Sequence, residues 1–170
     1  MADILLSDEY AKEIQAEAAA TRKCLERIPI TLFQWKPHDK SMTLGYLAML
    51  VAEMPQWIDH IVTTGEIDFA TFQHYQPGST EDLVKHYDEN IASALRALKG
   101  ISNETLQNEN FSLKANGHLL FSSSKKDNVS STINHWVHHR GQLTVYMRLN
   151  DISVPSIYGP SADDKTFAIP

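Results

Sequence analysis

Residues 134–143 read Asn-His-Trp-Val-His-His-Arg-Gly-Gln-Leu, and they hold three of the eight histidines of the 170-residue chain. His135 and His139 are spaced i, i+4, so on a helix they lie about 40° apart on one face and about 6 Å apart along the axis. This spacing lets two imidazoles reach one metal ion. His138 points about 100° away from His139 and is not expected to be a co-ligand. The stretch predicts a helix that carries either half of a metal site or two interior histidines satisfied by hydrogen bonds.

The composition is that of a soluble globular protein with one domain, residues 1–170. Hydrophobic residues make up 42% of the chain, charged residues 21%, and the formal net charge is −6. No long basic run offsets this acidity, so a nucleic-acid partner is disfavoured. No apolar run approaches the roughly 18 residues of a membrane span, and the N-terminus does not resemble a signal peptide. We therefore expect a cytoplasmic protein with no membrane partner.

Cys24 is the only cysteine, so no intramolecular disulfide is possible. A chain without disulfides fits a reducing compartment. Cys24 lies in a helical pattern, and we interpret it as a buried structural thiol rather than a nucleophile.

Four segments have the apolar periodicity or composition of helices. Pro55 lies inside the second segment, where it removes one backbone donor and should kink the helix or begin a new one. The fourth segment carries the histidines and begins at Asp127 or Asn128. The predicted helices span residues 8–27, 43–64, 80–99 and 127–149. Four helices in one small domain indicate an all-α antiparallel four-helix bundle with long connections.

The sequence period changes before the last helix. Residues 111–114 alternate apolar and polar, Asn116-Gly117 is a hairpin turn signal, and three apolar residues follow at 119–121. This pattern predicts a short β-hairpin. We expect irregular structure elsewhere, in the connections 31–42, 66–78 and 122–126 and in the C-terminal tail 150–170.

Three separate stretches resemble the DinB/YfiT-like family, and together they extend the resemblance over nearly the whole chain. The first is the run from residue 134 to residue 149. The second is the start of helix two, Trp-Lys-Pro-His-Asp-Lys-Ser-Met-Thr-Leu-Gly-Tyr-Leu-Ala at 35–48. The third is the tail, Pro-Ser-Ile-Tyr-Gly-Pro-Ser-Ala-Asp at 155–163. The resemblance implies a four-helix bundle that is commonly dimeric, so a homodimer is expected.

The resemblance also implies a divalent metal, often nickel or zinc, held by one histidine from helix two and two from helix four. The helix-four pair corresponds to His135 and His139. The helix-two histidine normally follows a Leu-Ala pair by two residues, and Leu50 occupies that position here. Leucine has no donor atom, and structural zinc sites are worth about 10–16 kcal/mol in total. The chain therefore departs from the family pattern where a ligand should be.

One carboxylate could replace the absent ligand. Glu53 lies one turn after Leu50 on nearly the same helix face. Its carboxylate could complete a set of two histidines and one carboxylate. The alternative is a surface or salt-bridged glutamate.

Four further residues of the last helix are candidates for the surroundings of the site. Gln142, one turn after His139, could orient a ligand or a water rather than bind metal itself. Arg140 is expected to pair with an acidic residue across helices in preference to binding a substrate anion. Gly141 is interpreted as a packing residue that permits close approach of another helix, and Tyr146 belongs to the same family stretch.

Two functions remain open. Characterised relatives include thiol-dependent transferases, in which a metal activates a low-molecular-weight thiol as thiolate. By analogy the chain could be such a transferase or a metal-dependent hydrolase with an altered site. The alternative is a non-enzymatic bundle that binds a small ligand or dimerises and has lost the metal, which Leu50 favours. The family name refers to DNA-damage induction, which describes expression and does not make the protein a DNA binder.

Overall fold

Four long helices form a bundle beside a small sheet in a computed structural model that describes residues 5–166. The long helices are α1 (Leu6–Leu25), α2 (Leu44–Thr63), α3 (Thr80–Leu98) and α5 (Lys125–Leu149). The shorter elements are a 3-10 turn (Ile30–Leu32), α4 (Asn103–Asn108), β1 (Glu66–Asp68), β2 (Asn110–Ala115) and β3 (His118–Ser124). The predicted bundle and hairpin are confirmed, and the tail is irregular up to residue 166.

Side-chain caps fix where three of the long helices begin. Thr43 precedes α2, Ser79 precedes α3 and Ser124 precedes α5, and each hydroxyl accepts a hydrogen bond from a backbone N–H three residues on. Such caps satisfy backbone donors that the first helical turn leaves free. Helix α1 has no side-chain cap of its own, and the Leu6 N–H donates instead to Asn103 Oδ1 at 2.8 Å.

Helix α2 is the centre of the bundle. It packs mainly against α3 and α5, and most of its residues are buried. The helix continues through Pro55 to Thr63, so the expectation that a new helix could begin at Pro55 is wrong. The apolar residues on both sides of Pro55 bury together, and this burial outweighs the one backbone hydrogen bond that proline removes.

The hairpin belongs to a three-stranded sheet with the order β1-β2-β3. Strand β1 pairs with β2 in parallel and β2 pairs with β3 in antiparallel, with an irregularity between Leu113 and Lys114. The polar connection predicted at 122–126 is wrong, because β3 continues to Ser124 and α5 begins at Lys125. Strand β1 and helix α4 were not predicted, since elements this short carry too few residues to show a period.

Asp68 joins the end of β1 to the hairpin turn. Its carboxylate accepts hydrogen bonds from the backbone N–H groups of Ala70, Asn116 and Gly117 at 2.9, 3.0 and 2.6 Å. These bonds, first that from Ala70 and then that from Gly117, hold the pKa of Asp68 below its usual range. The loop at residues 69–79 therefore leaves the sheet from a fixed point.

No helix within residues 5–166 is long and apolar enough to cross a membrane.

Candidate functional site

The three histidines of α5 lie together at one part of the helix surface. The ring centroids of His135 and His139 are 4.4 Å apart, and those of His138 and His139 are 5.4 Å apart. His139 is buried, whereas His135 and His138 are exposed. Partial burial, and then the charges of His139 and His138, lower the pKa of His135. A neutral imidazole keeps a lone pair for a ligand.

Gln142 orients the buried histidine of this group. Its Oε1 lies 2.8 Å from His139 Nδ1, and an amide oxygen only accepts, so Nδ1 carries the hydrogen. The second nitrogen, Nε2, is then left with its lone pair. The sequence predicted this orienting role for Gln142, and the contact fits it.

The residues that the sequence offered as a third ligand beside the α5 pair do not fit a metal centre with three protein ligands. Leu50, half-buried on α2, offers no donor atom. Glu53, the candidate replacement, has both carboxylate oxygens engaged by the loop at residues 69–79. In the part of the chain that the structure describes, no three His, Cys, Asp or Glu side chains are grouped so that they could hold a metal ion.

Glu53 and His74 form a buried carboxylate–imidazole pair, called here the Glu53–His74 dyad. Glu53 has only 1% of its side chain exposed, although it is a charged residue type. Its Oε2 lies 2.6 Å from His74 Nδ1, and its Oε1 accepts the Tyr75 N–H at 2.8 Å. Buried carboxylates require such partners, because burial without them is costly. The dyad therefore holds the loop against α2.

A second histidine lies behind the dyad. His86 Nε2 on α3 is 4.0 Å from Glu53 Oε1, too far for a hydrogen bond, and it has no hydrogen-bond partner within residues 5–166. Burial lowers the pKa of His86, and the nearby charges of Glu53 and Glu89 oppose this. Tyr75 stacks on the His86 ring with centroids 4.3 Å apart and planes at 20°. The stack adds a contact between the loop and α3 beside the dyad.

His74 of the dyad borders a cavity of about 210 Å³, called here the loop pocket, between the start of α2 and the loop at 69–79. Aromatic rings, amides and the dyad histidine line most of it. These side chains belong to Phe33, Tyr46, Tyr75, Gln34, Gln76 and His74. Gly45 shapes the wall, because a Cβ at this position would lie 2.6 Å from Phe33 Cγ. A bulkier residue there would displace the ring.

His74, Tyr75 and His86 were not predicted from the sequence as residues of a site. His74 lies in a loop, 21 residues from Glu53, so no helical or strand period connects the two. The one available signal was the position of Glu53 on a helix face that is otherwise apolar. A buried carboxylate predicts a partner of opposite charge or a donor, but it does not say where in the chain that partner lies.

Arg140 makes the interhelical ion pair that the sequence predicted. It is 2% exposed, and its Nη1 lies 2.6 Å from Glu17 Oε2 on α1. The same guanidinium donates to Thr21 Oγ1 at 3.0 Å and to the Tyr158 hydroxyl of the tail at 2.7 Å. The Arg140 cluster, formed by these four residues, joins α1, α5 and the tail.

Two other candidate residues of α5 differ in their surroundings. Tyr146 contacts the connection between the 3-10 turn and α2, since its ring meets Trp35 edge-on at 5.5 Å and its hydroxyl lies 3.4 Å from the Met42 carbonyl oxygen. Gly141 is exposed, and a Cβ there would meet nothing within 4 Å. The interpretation of Gly141 as a packing residue is wrong, because no helix within residues 5–166 comes within 4 Å of a Cβ at this position.

Cys24 is buried, as predicted, and burial raises the pKa of its thiol to about 11. The thiol is therefore not a nucleophile at neutral pH.

Comparisons with known proteins agree on one family. The model of the DinB family matches residues 1–169. The uncharacterised protein YrdA of Bacillus subtilis (strain 168) is 30% identical over 163 residues, which cover 92% of this chain and 90% of YrdA.

Solved structures of DinB-like proteins have the same fold. One from Bacillus cereus superposes with a TM-score of 0.68 at 22% identity, covering 89% of this chain and 97% of its own. The B. subtilis protein YjoA superposes with a TM-score of 0.67 at 17% identity, covering 92% and 99%.

Proposed function

The chain belongs to the DinB family, and from that premise we propose that it binds a small ligand without a resident divalent metal. The observation that carries the proposal is the engagement of Glu53. Its carboxylate is the replacement that the sequence offered for the ligand absent at Leu50, and its two oxygens are bound by His74 and Tyr75. Of the ligands considered within residues 5–166, only the two imidazoles of α5 then remain as metal donors.

Two imidazoles make a weak site. Zinc and nickel sites in proteins take three or four protein ligands, and each absent ligand lowers the binding free energy. Water would have to fill the remaining positions, and a chelator would remove such a metal easily. The loop pocket offers a different kind of site, since it is concave, largely apolar and supplied with a few polar groups.

A second candidate function keeps the metal. The contact between Gln142 and His139 favours it, because metal-binding histidines commonly have their second nitrogen fixed in this way. In this alternative the protein is an altered metal-dependent hydrolase or thiol transferase that takes nickel or zinc at His135 and His139. A low-molecular-weight thiol would be its co-substrate.

Metal analysis of the purified protein separates the two candidates. We expect nickel and zinc well below one per chain, and an unchanged melting temperature when either ion is added. Stoichiometric nickel or zinc that is lost in His139→Ala would overturn the proposal and support the metal-dependent alternative.

Restoring the absent ligand gives a second test. Leu50→His is expected to raise nickel or zinc affinity at least tenfold, about 1.4 kcal/mol, in isothermal titration. Gln15→His on α1 is the matched control, because it adds one histidine at an exposed helical position with no other histidine one turn away and should give no gain. If Leu50→His also gave no gain, position 50 would not face the α5 histidines, and the argument from the absent ligand would fail.

The homodimer expected from the family resemblance remains a proposal. Three consecutive apolar residues of the edge strand β3 support it, since they are exposed side by side: Leu119, Leu120 and Phe121. Exposed apolar groups beside an unpaired strand edge favour association with a second copy. We expect a dimer mass by light scattering, and a shift toward monomer in Leu120→Lys.

A further inference from the structure

The loop pocket contains the imidazole of His74, and a carboxylate orients this ring as it would orient a general base. We propose that His74, oriented by Glu53, activates a water molecule for hydrolysis of small uncharged aryl esters bound in the loop pocket. This inference goes beyond ligand binding, and it uses no residue of the α5 histidine group.

The dyad sets which nitrogen of His74 carries the hydrogen. An ionised carboxylate only accepts hydrogen bonds, so Nδ1 donates to Glu53 Oε2 across 2.6 Å. Nε2 then keeps its lone pair, and it has no hydrogen-bond partner within residues 5–166. His74 lines the pocket and is 37% exposed, whereas Glu53 behind it is 1% exposed. The buried partner fixes the tautomer of a base that solvent can reach.

Aromatic neighbours hold the orientation of the ring. Phe72 meets the His74 ring edge-on with centroids 5.3 Å apart, and Tyr46 meets it edge-on at 6.0 Å. The next backbone N–H, that of Tyr75, donates to the other oxygen of Glu53. Two consecutive residues of the loop are thus fixed by one carboxylate. A base held in this way loses little freedom when a substrate binds.

The pocket lining selects the substrate class. Phe33, Tyr46 and Tyr75 present aromatic surface, which favours a planar apolar group. Gln34 and Gln76 present amide groups that can donate to a carbonyl oxygen. Within the described residues, no lysine, arginine, aspartate or glutamate lines the pocket. A charged substrate would therefore lose its hydration without gaining an ion pair, which is costly. The volume of about 210 Å³ suits a molecule with one aromatic ring.

The proposed step is a hydrolysis that needs no further reactant. His74 Nε2 takes a proton from water while the water oxygen bonds to the acyl carbon. The bond between the acyl carbon and the aryl oxygen then breaks, and the aryl oxygen receives the proton from Nε2. The products are a carboxylic acid and a phenol. General-base assistance of this kind contributes about 10²–10⁴ in rate.

Hydrolysis of p-nitrophenyl acetate in the presence of EDTA tests the proposal. We expect saturable hydrolysis by the wild-type protein, faster than equimolar 4-methylimidazole, and a loss of at least tenfold in kcat/KM in His74→Gln. Glu53 is a positioning residue, so Glu53→Gln should lower kcat and leave KM nearly unchanged. His38→Gln, in an exposed loop, is the matched control and should retain the wild-type rate.

Several outcomes overturn the proposal. They are a wild-type rate equal to that of 4-methylimidazole, a His74→Gln rate equal to wild type, or an equal loss in His38→Gln. A rate abolished by EDTA would assign the hydrolysis to a metal instead. If His74→Gln does not fold, NMR titration of the wild type with acetanilide, an uncharged amide of similar shape, decides. The His74 ring signals should shift, and unshifted signals would refute binding in the loop pocket.

Discussion

The α5 histidine group and the Glu53–His74 dyad are two imidazole sites built in opposite ways. In the first, His135 and His139 come from one helix and meet because of their spacing, and an amide is the partner of His139. In the second, one histidine from a loop meets a carboxylate from a helix, and the carboxylate is buried. The first site resembles a metal site with a ligand removed. The second has the base and the orienting group of an acid–base site.

The difference shows what each site needs from the fold. Helix geometry alone brings the α5 rings together, so the pair persists wherever the helix persists. The dyad needs α2, the loop at residues 69–79 and the hydrogen bonds of Asp68, called here the sheet anchor, to be in place together. Changes in the fold should therefore affect the dyad more than the α5 group, and two variant pairs and one acid effect measure this.

The largest contrast is expected between Glu53→Ala and His139→Ala. Removing Glu53 leaves the His74 Nδ1–H and the Tyr75 N–H without their acceptor, which should lower the free energy of unfolding by about 3 kcal/mol. Removing His139 loses one hydrogen bond with Gln142 and some packing, about 1 kcal/mol. Urea denaturation measures both. Equal losses would contradict the greater dependence of the fold on the dyad.

Replacement by alanine of the two helical glycines near the two sites should change the stability of the protein in opposite directions. Gly45→Ala places a Cβ against Phe33, close to the root of its side chain, and should destabilise the protein by about 2 kcal/mol. Gly141→Ala fills open space on α5 and should stabilise by about 0.5–1 kcal/mol through helix propensity. Thermal melts of the two variants check the signs. Stabilisation by Gly45→Ala would mean that the Phe33 ring moves freely.

The smallest expected effect is a loss of stability at low pH, where Asp68 becomes protonated. Asp68 has a lowered pKa in the folded protein, so its hydrogen bonds contribute stability above the unfolded value of about 3.9. That contribution is lost as pH falls through the lower folded pKa, because the protonated group binds the amides less well. The protection of the Gly117 amide, measured as its hydrogen-exchange rate relative to the intrinsic rate at the same pH, should fall there.

Asp68→Asn is the matched variant for the acid effect. It should show fast exchange of the Gly117 amide at every pH, since the ionised acceptor is absent. In the NMR spectrum of Asp68→Asn, the His74 ring signals should also broaden, and those of His139 should not. Equal broadening of both sets would show that the sheet anchor does not act on the dyad alone.

The features that could be predicted from the sequence are those that depend on periodicity and on local signals. The helices, the Asn116-Gly117 hairpin, the proximity of His135 to His139 and the ion pair of Arg140 follow from spacing, turn chemistry and charge. The partner of Glu53 did not follow, because His74 lies in a loop without a period. The prediction for Gly141 failed because a missing Cβ permits a close approach but does not require one.

The Arg140 cluster has a consequence for how the chain folds during synthesis. Arg140 is made 123 residues after Glu17, and Tyr158 follows 18 residues after Arg140. Until Tyr158 has left the ribosome, a guanidinium that is 2% exposed in the finished fold lacks one of its hydrogen-bond partners. The Arg140 cluster is therefore completed only after residue 158 has been made, when the tail contributes a hydrogen-bond partner to a charge that α1 and α5 have already brought together.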